Sequence, residues 1–548
     1  MKTRKEPLHT FPYPAFFLDY IRSDGKAASY FQHRHTYKEL CKKVEKYHYP
    51  HDRADMASIL KDINRPFLPE TSLKERCNLL LDPDTVTLTT GQQTTLLGGT
   101  GLTLYKLIST IVLSERLSKD TSRNVLPVFW LADEDHDIEE ISSVGYVHGE
   151  AFVNHTLQYN SDNVPHAVSN LKIPEEPFDT FLDAFFSSLP ETDFTAALLK
   201  IVRDSYRKGT TYDEAFASLL SRLFAGYPIL FAKSNHRKVK SFCKPVLSAA
   251  IAKATELKAS LEEQTAVISK HYKQQATVTD SLLFYHDPEK GRLKLNQSNG
   301  QWSVDHGRIQ WDQKELLDIS EEKPWLLSPN VFLRPILQDY ILPNVAYIGG
   351  PAEIAYHAQM ATIYSFFDQK MPFLTGRLTA TVIEPGTRRN MDRLPFHPTD
   401  YLTRLEDLEQ TYLRNNDSKQ VEECFSNWKN DLAKMNDEMA DTRCFDDDGL
   451  KKQAGAMMRQ FEKSMDKLQQ KVLQGQRKKE ETALNRISRV RQSLYPENQL
   501  QERKVAFLYY LNKYGVDFYS EWIEHFVQSE DPLFTNHFLI EPLSGKNE

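Results

Sequence analysis

Between Val86 and Asp137 the chain reads as a strand, a glycine-dense turn, an amphipathic helix and a second strand, and no other stretch restricts the fold as much. The β-branched run Val86–Thr90 ends at Gly91. Beyond the turn marked by Gly98, Gly99 and Gly101, apolar residues Leu104, Leu107, Ile108, Ile111, Val112 and Leu117 recur at helical spacing. A second apolar run, Val125–Ala132, is too short for a helix and stops at Asp133-Glu-Asp-His-Asp137, which predicts a buried parallel strand. Together these form a βαβ unit, and open α/β sheets bind ligands beyond the carboxyl ends of their strands. The glycine turn and the acidic cluster both lie at such ends.

Amides left unscreened at Gly98, Gly99 and Gly101 predict an anion site near a helix N-terminus; a tight turn with glycines at positive φ would use the same residues. The spacing matches neither the dinucleotide fingerprint nor a Walker A loop, although Lys106 follows. Gln92 and Gln93 offer amide groups to a neutral polar ligand, or tie the loop to the next strand. In the cluster Glu134, Asp135, His136 and Asp137, carboxylates beside an imidazole repel one another unless solvated, paired or metal-bound. They also bring the imidazole into a useful acid–base range, so these four are the candidate catalytic residues; a solvated helix start is the competing reading. One histidine without spaced partners is not a zinc site, whereas Mg²⁺ held by carboxylates and a phosphate would fit.

A second strand end follows Val345–Ile348, where Gly349-Gly350 turns into a helix opened by Pro351. Glu353, Tyr356, His357 and Met360 share one face of that helix, and Glu353 is expected to point into a second anion or carbonyl site. Arg334 and Arg377 are candidate clamps for phosphate or carboxylate, because a guanidinium meets such groups bidentately; helix-start charge for Glu353 and structural ion pairs for the arginines are the alternatives.

A length of 548 residues implies two to four structural units. With 26% charged and 40% apolar residues the composition is that of a soluble globular protein. A net charge of −7 argues against nucleic acid or an anionic membrane as partner. No run of 18 apolar residues predicts a membrane span, and prolines with Asp19 interrupt any signal-peptide core before Tyr20. Five scattered cysteines without C-x-x-C pairs predict reduced thiols and a cytoplasmic protein. His33, His35, His48 and His51, interleaved with Arg and Lys, read as a surface face and not as a metal site.

Helices are expected at Tyr30–Lys46 and Ser72–Leu81, a strand and hairpin from Gly145 to Asn160, and two helices from Pro177 to Phe224. Tyr227–Ala232 reads as another buried strand, followed by one long helix over Val239–Lys270. Short strands with turn signals at Asp287–Gly291 and Asn299-Gly300 predict an antiparallel insertion at about 275–312 on the sheet's edge. The division is then an α/β core over 1–397 containing that insertion, a helical hairpin over 398–494, and C-terminal helices over 495–548 that return to the core. Within the hairpin, Val421, Phe425, Trp428, Leu432, Met435 and Met439 form a coiled-coil seam, repeated at Phe461, Met465, Leu468 and Val472. Such a hairpin cannot bury its whole seam alone, so a homodimer through it is expected.

The motifs Thr90-Gly-Gln-Gln93, Gly99, Tyr105-Lys106, Pro127-Val-Phe-Trp130, Glu134-Asp-His-Asp137, Leu333-Arg-Pro335 and Val345–Tyr356 resemble those of the BshC family, the cysteine-adding enzymes of bacillithiol biosynthesis. The chain departs locally, with Thr100-Gly101-Leu102 where the family has Pro-Leu-Tyr and Asp133 where it often has Gly. The resemblance implies a Rossmann-like core with a C-terminal coiled coil, often dimeric, that joins L-cysteine to the amine of malyl-glucosamine. A free carboxylate does not acylate an amine at useful rates, so ATP or another nucleotide is expected as activator. On this reading the loop residues Gly91, Gln92, Gln93, Gly98, Gly99, Tyr105 and Lys106, with Gly349, Gly350, Glu353 and Tyr356, bind nucleotide or substrate. His136 acts as acid–base oriented by Asp135 or Asp137, Glu134 holds Mg²⁺ or the amine, and Arg334 and Arg377 hold carboxylates. A nucleotidyl- or glycosyl-transferase and a non-catalytic nucleotide-binding scaffold are the alternatives.

Overall fold

The structure, a computed structural model, describes every residue except 24, 135–137, 159–166, 288, 299, 416–418, 442–446 and 544–548. Five strands make its central sheet: β1 (Thr85–Gln93), β2 (Asn124–Ala132), β3 (Leu230–Lys233), β4 (Asn344–Gly349) and β5 (Phe373–Gly376). All neighbours are parallel, in the order β3-β2-β1-β4-β5. The chain therefore starts in the middle, moves outward through β2 and β3, and returns to the other side of β1. This is the doubly wound arrangement, and the crevice between the ends of β1 and β4 is its switch point. Val86, Leu88, Phe129 and Trp130 are wholly buried, as strands covered on both faces require. Two of the buried threonines of β1 are satisfied sideways: Thr89 Oγ1 donates to Asn344 Oδ1 at 2.8 Å and Thr90 Oγ1 to the Ile348 carbonyl at 2.8 Å.

Four helices set the functional geometry: α1 (Gly101–Asp120), α2 (Arg237–Phe242), α3 (Leu333–Ile341) and α4 (Pro351–Met360). Helix α1 is buried along most of its length, so its polar Lys106, Ser109 and Thr110 all find partners inside the protein. Three sequence expectations change. The region from Pro177 to Phe224 holds three helices, Glu175–Ser188, Thr195–Ser205 and Tyr212–Leu223. The long helix expected over Val239–Lys270 is α2 followed by Lys244–Ala252 and Ala254–Ser269, because Cys243 and Lys253 leave helical geometry and Pro245 opens the second piece. The insertion does not extend the parallel sheet. It forms two three-stranded antiparallel sheets of its own, one of Leu327–Pro329, Leu283–Asp287 and Gly291–Lys294, the other of Ile309–Asp312, Gln301–Val304 and Asn296–Ser298. Trp302 and Val304 of the insertion are buried in the same apolar cluster as Leu126 and Val128 of β2.

The chain divides into two compact units. The first comprises Met1–Tyr146, Val153–Thr381 and Glu502–Glu548, the second Val147–Phe152 and Val382–Gln501. In the first, strands Lys2–Pro7 and Asn536–Glu541 pair antiparallel. The second contains helices Lys419–Asp441, Asp448–Lys479 and Glu481–Leu494. Lys429 pairs with Asp466, whereas the earlier Glu409 meets the later Arg477, so the chain runs back antiparallel along itself. Phe425 and Met465 are buried between the helices, but Trp428, Met435, Phe461 and Leu468 are each more than half exposed. Among the described residues no helix is long and apolar enough to cross a membrane.

Candidate functional site

At the switch point the side chains close on one another. The Lys106 ammonium donates to the Gly91 carbonyl at 2.7 Å, to Gln92 Oε1 at 2.9 Å and to Glu353 Oε2 at 2.5 Å, which uses all three of its protons. A Cβ at Gly91 would lie 3.2 Å from the Trp130 carbonyl oxygen, a tight contact between β1 and β2. Glu353 sits at the third position of α4 and also accepts from the Gly350 amide at 2.7 Å and the Tyr347 hydroxyl at 2.5 Å, a capping box that ties the strand end to the helix. Burial alone would raise the Glu353 carboxyl, but Lys106 and the Gly350 amide hold it below the ordinary range. Arg334 of α3 donates to Tyr356 Oη at 2.8 Å and lies over the Tyr347 ring. His357 Nδ1 is 2.7 Å from the Glu353 carbonyl, which can only accept, so Nε2 carries the lone pair; burial pushes this imidazole down to about 4.

The glycine turn behaves differently from the anion nest expected of it. The amides of Gly98, Gly99 and Gly101 donate to the carbonyls of Thr95, Leu96 and Val505 at 3.1, 3.0 and 3.0 Å. Gly98 has φ 78° and a Cβ there would strike the Phe507 ring at 2.6 Å. The glycines thus let the turn pack under the returning C-terminal segment, and their donors are already used. Tyr105 is buried against Trp522 with ring centroids 5.3 Å apart. Arg377 is no ligand clamp either: its fork is filled by Glu502 at 3.0 and 2.7 Å, with both side chains 1% exposed.

An open cleft of about 360 Å³ lies beyond the ends of β2 and β3. Its floor is Ala132, Asp133, Glu134 and Ser234; Arg292 and Lys294 come from the insertion, and Arg334 from α3. Glu134 is bound by the buried Lys240 of α2 and by Ser234 Oγ at 2.6 Å. Burial would raise its carboxyl, but Lys240 and Arg292 override this and keep it ionised. Asp133 beside it receives the Asn235 amide on Oδ1 at 3.3 Å, while its buried Oδ2 has no hydrogen-bond partner among the described residues. Burial pushes Asp133 up to about 7, against the pull of Lys233 and with the push of Glu134. His286 is held down to about 4, chiefly by burial, with Glu134 opposing. Arg292 is fixed by Ser328 Oγ at 3.1 Å and the Pro329 carbonyl at 2.9 Å, and its guanidinium stacks 3.9 Å over Phe284.

Of the residues expected from sequence, the structure brings Gly91, Gln92, Lys106, Gly350, Glu353, Tyr356 and Arg334 to the switch point. Gln93 and Gly349 end strands β1 and β4 there. Glu134 lies in the cleft, whereas Gly98, Gly99, Tyr105 and Arg377 are turned into packing. Asp135, His136 and Asp137 lie outside the described residues. Sequence reading missed Asp133 as a titrating group, and also Lys240, Ser234, Arg292 and Lys294. A signal existed in the position of Ser234 directly after β3, another carboxyl strand end, with Lys240 on the helix that follows. Among the described residues no three His, Cys, Asp or Glu side chains come together as a metal cluster.

Comparison with known proteins agrees with this architecture. Residues 1–378 match the family described as bacillithiol biosynthesis BshC, N-terminal Rossmann-like domain, and residues 380–541 match its C-terminal coiled-coil domain. The chain is similar to a protein of Bacillus cytotoxicus named "Putative cysteine ligase BshC", 28% identical over 506 residues, 91% of this chain and 94% of the relative. A protein of the same name from Symbiobacterium thermophilum is 30% identical over 485 residues, 86% of this chain and 87% of the relative. With both domains matched in sequence order and a doubly wound sheet in the first, the chain belongs to the BshC family of bacillithiol biosynthesis.

Proposed function

We propose that the cleft between β2, β3 and the insertion carries out the cysteine-adding step of bacillithiol biosynthesis, forming the amide between the carboxyl of L-cysteine and the amine of malyl-glucosamine. The observation that carries this reading is Asp133: a buried carboxyl pushed up to about 7, whose Oδ2 has no hydrogen-bond partner among the described residues, in a cleft also lined by Arg292, Lys294 and Arg334. An amine attacks an acyl carbon only when unprotonated, and a base poised near the working pH is suited to take its proton. The guanidinium and ammonium groups on the other wall suit the malyl carboxylates.

The cysteine carboxyl must first be activated, and ATP is the proposed source. In the acylation step the amine nitrogen bonds to the carbonyl carbon, the acyl–oxygen bond to the phosphate group breaks, and the amine proton passes to Asp133. Glu134 is not assigned a metal: the Lys240 ammonium already occupies one of its oxygens, and a divalent cation there would be repelled. His136, oriented by Asp135 or Asp137, is proposed on sequence grounds as a second proton-transfer group, and His136→Ala should cut turnover while leaving ligand binding. The reaction is assigned to the cytoplasm, and the exposed seam of the helical hairpin to a second copy of the chain.

Mass spectrometry of the protein with malyl-glucosamine, L-cysteine, ATP and Mg²⁺, omitting each in turn, tests the proposal. The cysteinyl amide should form only in the full mixture, with AMP or ADP naming the activation chemistry. No amide under any combination overturns the proposal; a product that leaves cysteine unconsumed points instead to transfer from a sugar nucleotide.

A further inference from the structure

A larger cavity, of about 720 Å³, lies at the opposite end of the sheet. It opens where β4 begins at Asn344 and where the segment Asp368–Lys370 leads into β5, and helix Tyr37–Lys46 forms another wall. By the rise of a six-residue strand it is roughly 20 Å from the switch point. Its volume is in the range of small-molecule sites.

Four lysines, Lys42, Lys43, Lys46 and Lys370, line it together with three carboxylates, Glu39, Asp339 and Asp368. Lys42 is paired with Glu39 at 2.7 Å. Asp339 lines the cavity but is engaged by neutral groups, accepting from Asn344 Nδ2 at 2.6 Å and Tyr364 Oη at 2.8 Å. Lys43, Lys46 and Lys370 have no carboxylate at ion-pair distance among the described residues. Lys43 is half-buried. Its ammonium donates to the Met371 carbonyl at 2.5 Å and lies 3.4 Å from His33 Nε2, so its nearest partners are neutral groups. Burial pushes it down to about 8, with Asp339 opposing and the Lys370 ammonium adding to the effect.

Helix dipoles favour lysine in a last turn, and Lys43 and Lys46 occupy one. That accounts for neither Lys370, which arrives from a different segment, nor the partial burial of an ammonium without a counterion. His33, His48 and His51, which sequence alone assigns to a surface face, line the same cavity together with Tyr47. Cations converging from two segments repel until an anion enters, and aromatic and imidazole walls suit the organic part of such a ligand.

We propose that this cavity is a second ligand site, separate from the cleft, for a small organic anion carrying at least two negative charges, of the phosphate or polycarboxylate type. Such an anion bridges Lys43, Lys46 and Lys370 and supplies the counterion that Lys43 lacks.

Isothermal titration of the full chain at low salt, with pyrophosphate and citrate as the two probes, tests this. Saturable binding of at least one probe is expected, and the stronger of the two identifies the anion type. Lys46→Ala with Lys370→Ala changes two exposed side chains and should weaken that binding at least tenfold while the melting temperature holds. Lys43→Met should abolish it. Arg292→Ala with Lys294→Ala, which alters the cleft, should leave it intact. Absence of saturable heat with both probes overturns the proposal. So does binding that is unchanged in the Lys46–Lys370 variant or that is lost in the Arg292–Lys294 variant.

Discussion

Lys106 on α1 and Glu353 on α4 meet at 2.5 Å across the ends of β1 and β4, joining the two halves of the doubly wound sheet at the point where strand order reverses. The lysine has no proton left for a ligand, and the carboxylate already has Tyr347 and the Gly350 amide on it. The pair fastens the crevice between β1 and β4, and an open cleft lies beyond β2 and β3.

Removing Lys106 leaves a buried carboxylate without its cation. Lys106→Met should therefore cost about 3–5 kcal/mol in urea unfolding, and adding Glu353→Gln should recover part of the loss because the orphaned charge is gone. A single variant within about 0.5 kcal/mol of the parent, the usual range for surface changes, would show that the pair does not fasten the switch point.

Burial pushes Asp133 up to about 7 in the folded protein, against about 3.9 in an unfolded chain. Between those values the native state binds more protons than the unfolded one, so this group's contribution to stability is full below pH 4, falls as pH rises and is gone above 7. Asp133→Asn should flatten that part of the stability profile and be more stable than the parent at pH 8. If Asp133 is the base, the same variant also loses the rise of rate through pH 7; a pH–rate profile unchanged in Asp133→Asn rules the residue out as base.

The Arg377–Glu502 pair predicts a stability defect and no binding defect. Glu502→Gln leaves a buried guanidinium without its counter-charge and should cost about 3–5 kcal/mol, with KM for both carboxylate substrates unchanged. A tenfold rise in KM without loss of stability would restore Arg377 to a binding role.

Trp428 and Phe461, 52% and 54% exposed on the helical hairpin, are expected at the interface between two copies. Trp428→Glu with Phe461→Glu should convert a dimer to a monomer in sedimentation while the melting of the first compact unit holds. A parent that sediments as a monomer at micromolar concentration removes the dimer proposal.

The order of elements was legible because strand and helix periodicities are local: β1, α1 and β2 follow from residues 85 to 132, and Gly349-Gly350-Pro351 announced the turn from β4 into α4. So was the meeting of the ends of β1 and β4, where Lys106 and Glu353 pair. Breaks at Cys243 and Lys253 were harder to see, since good helix formers lie on both sides and the packing of each piece decides where the axis turns.

What the sequence determined by itself was an α/β chain of this family with a helical hairpin, because hydrophobic period and motif spacing are properties of neighbouring residues. Only the tertiary structure decided which polar groups remain open. Gly101, Lys106 and Arg377 each looked like ligand donors in isolation, and each is satisfied by a residue distant in the chain, whereas the Gly98 and Gly99 amides are satisfied within their own turn. Asp133 looked like one acid among several, and burial pushes it up to about 7. The physical reason is the same in both cases: hydrogen-bond saturation and desolvation depend on what folds against a residue, and in this chain those neighbours are Val505, Glu353, Glu502 and Asn235, more than 100 residues away in the case of Asn235.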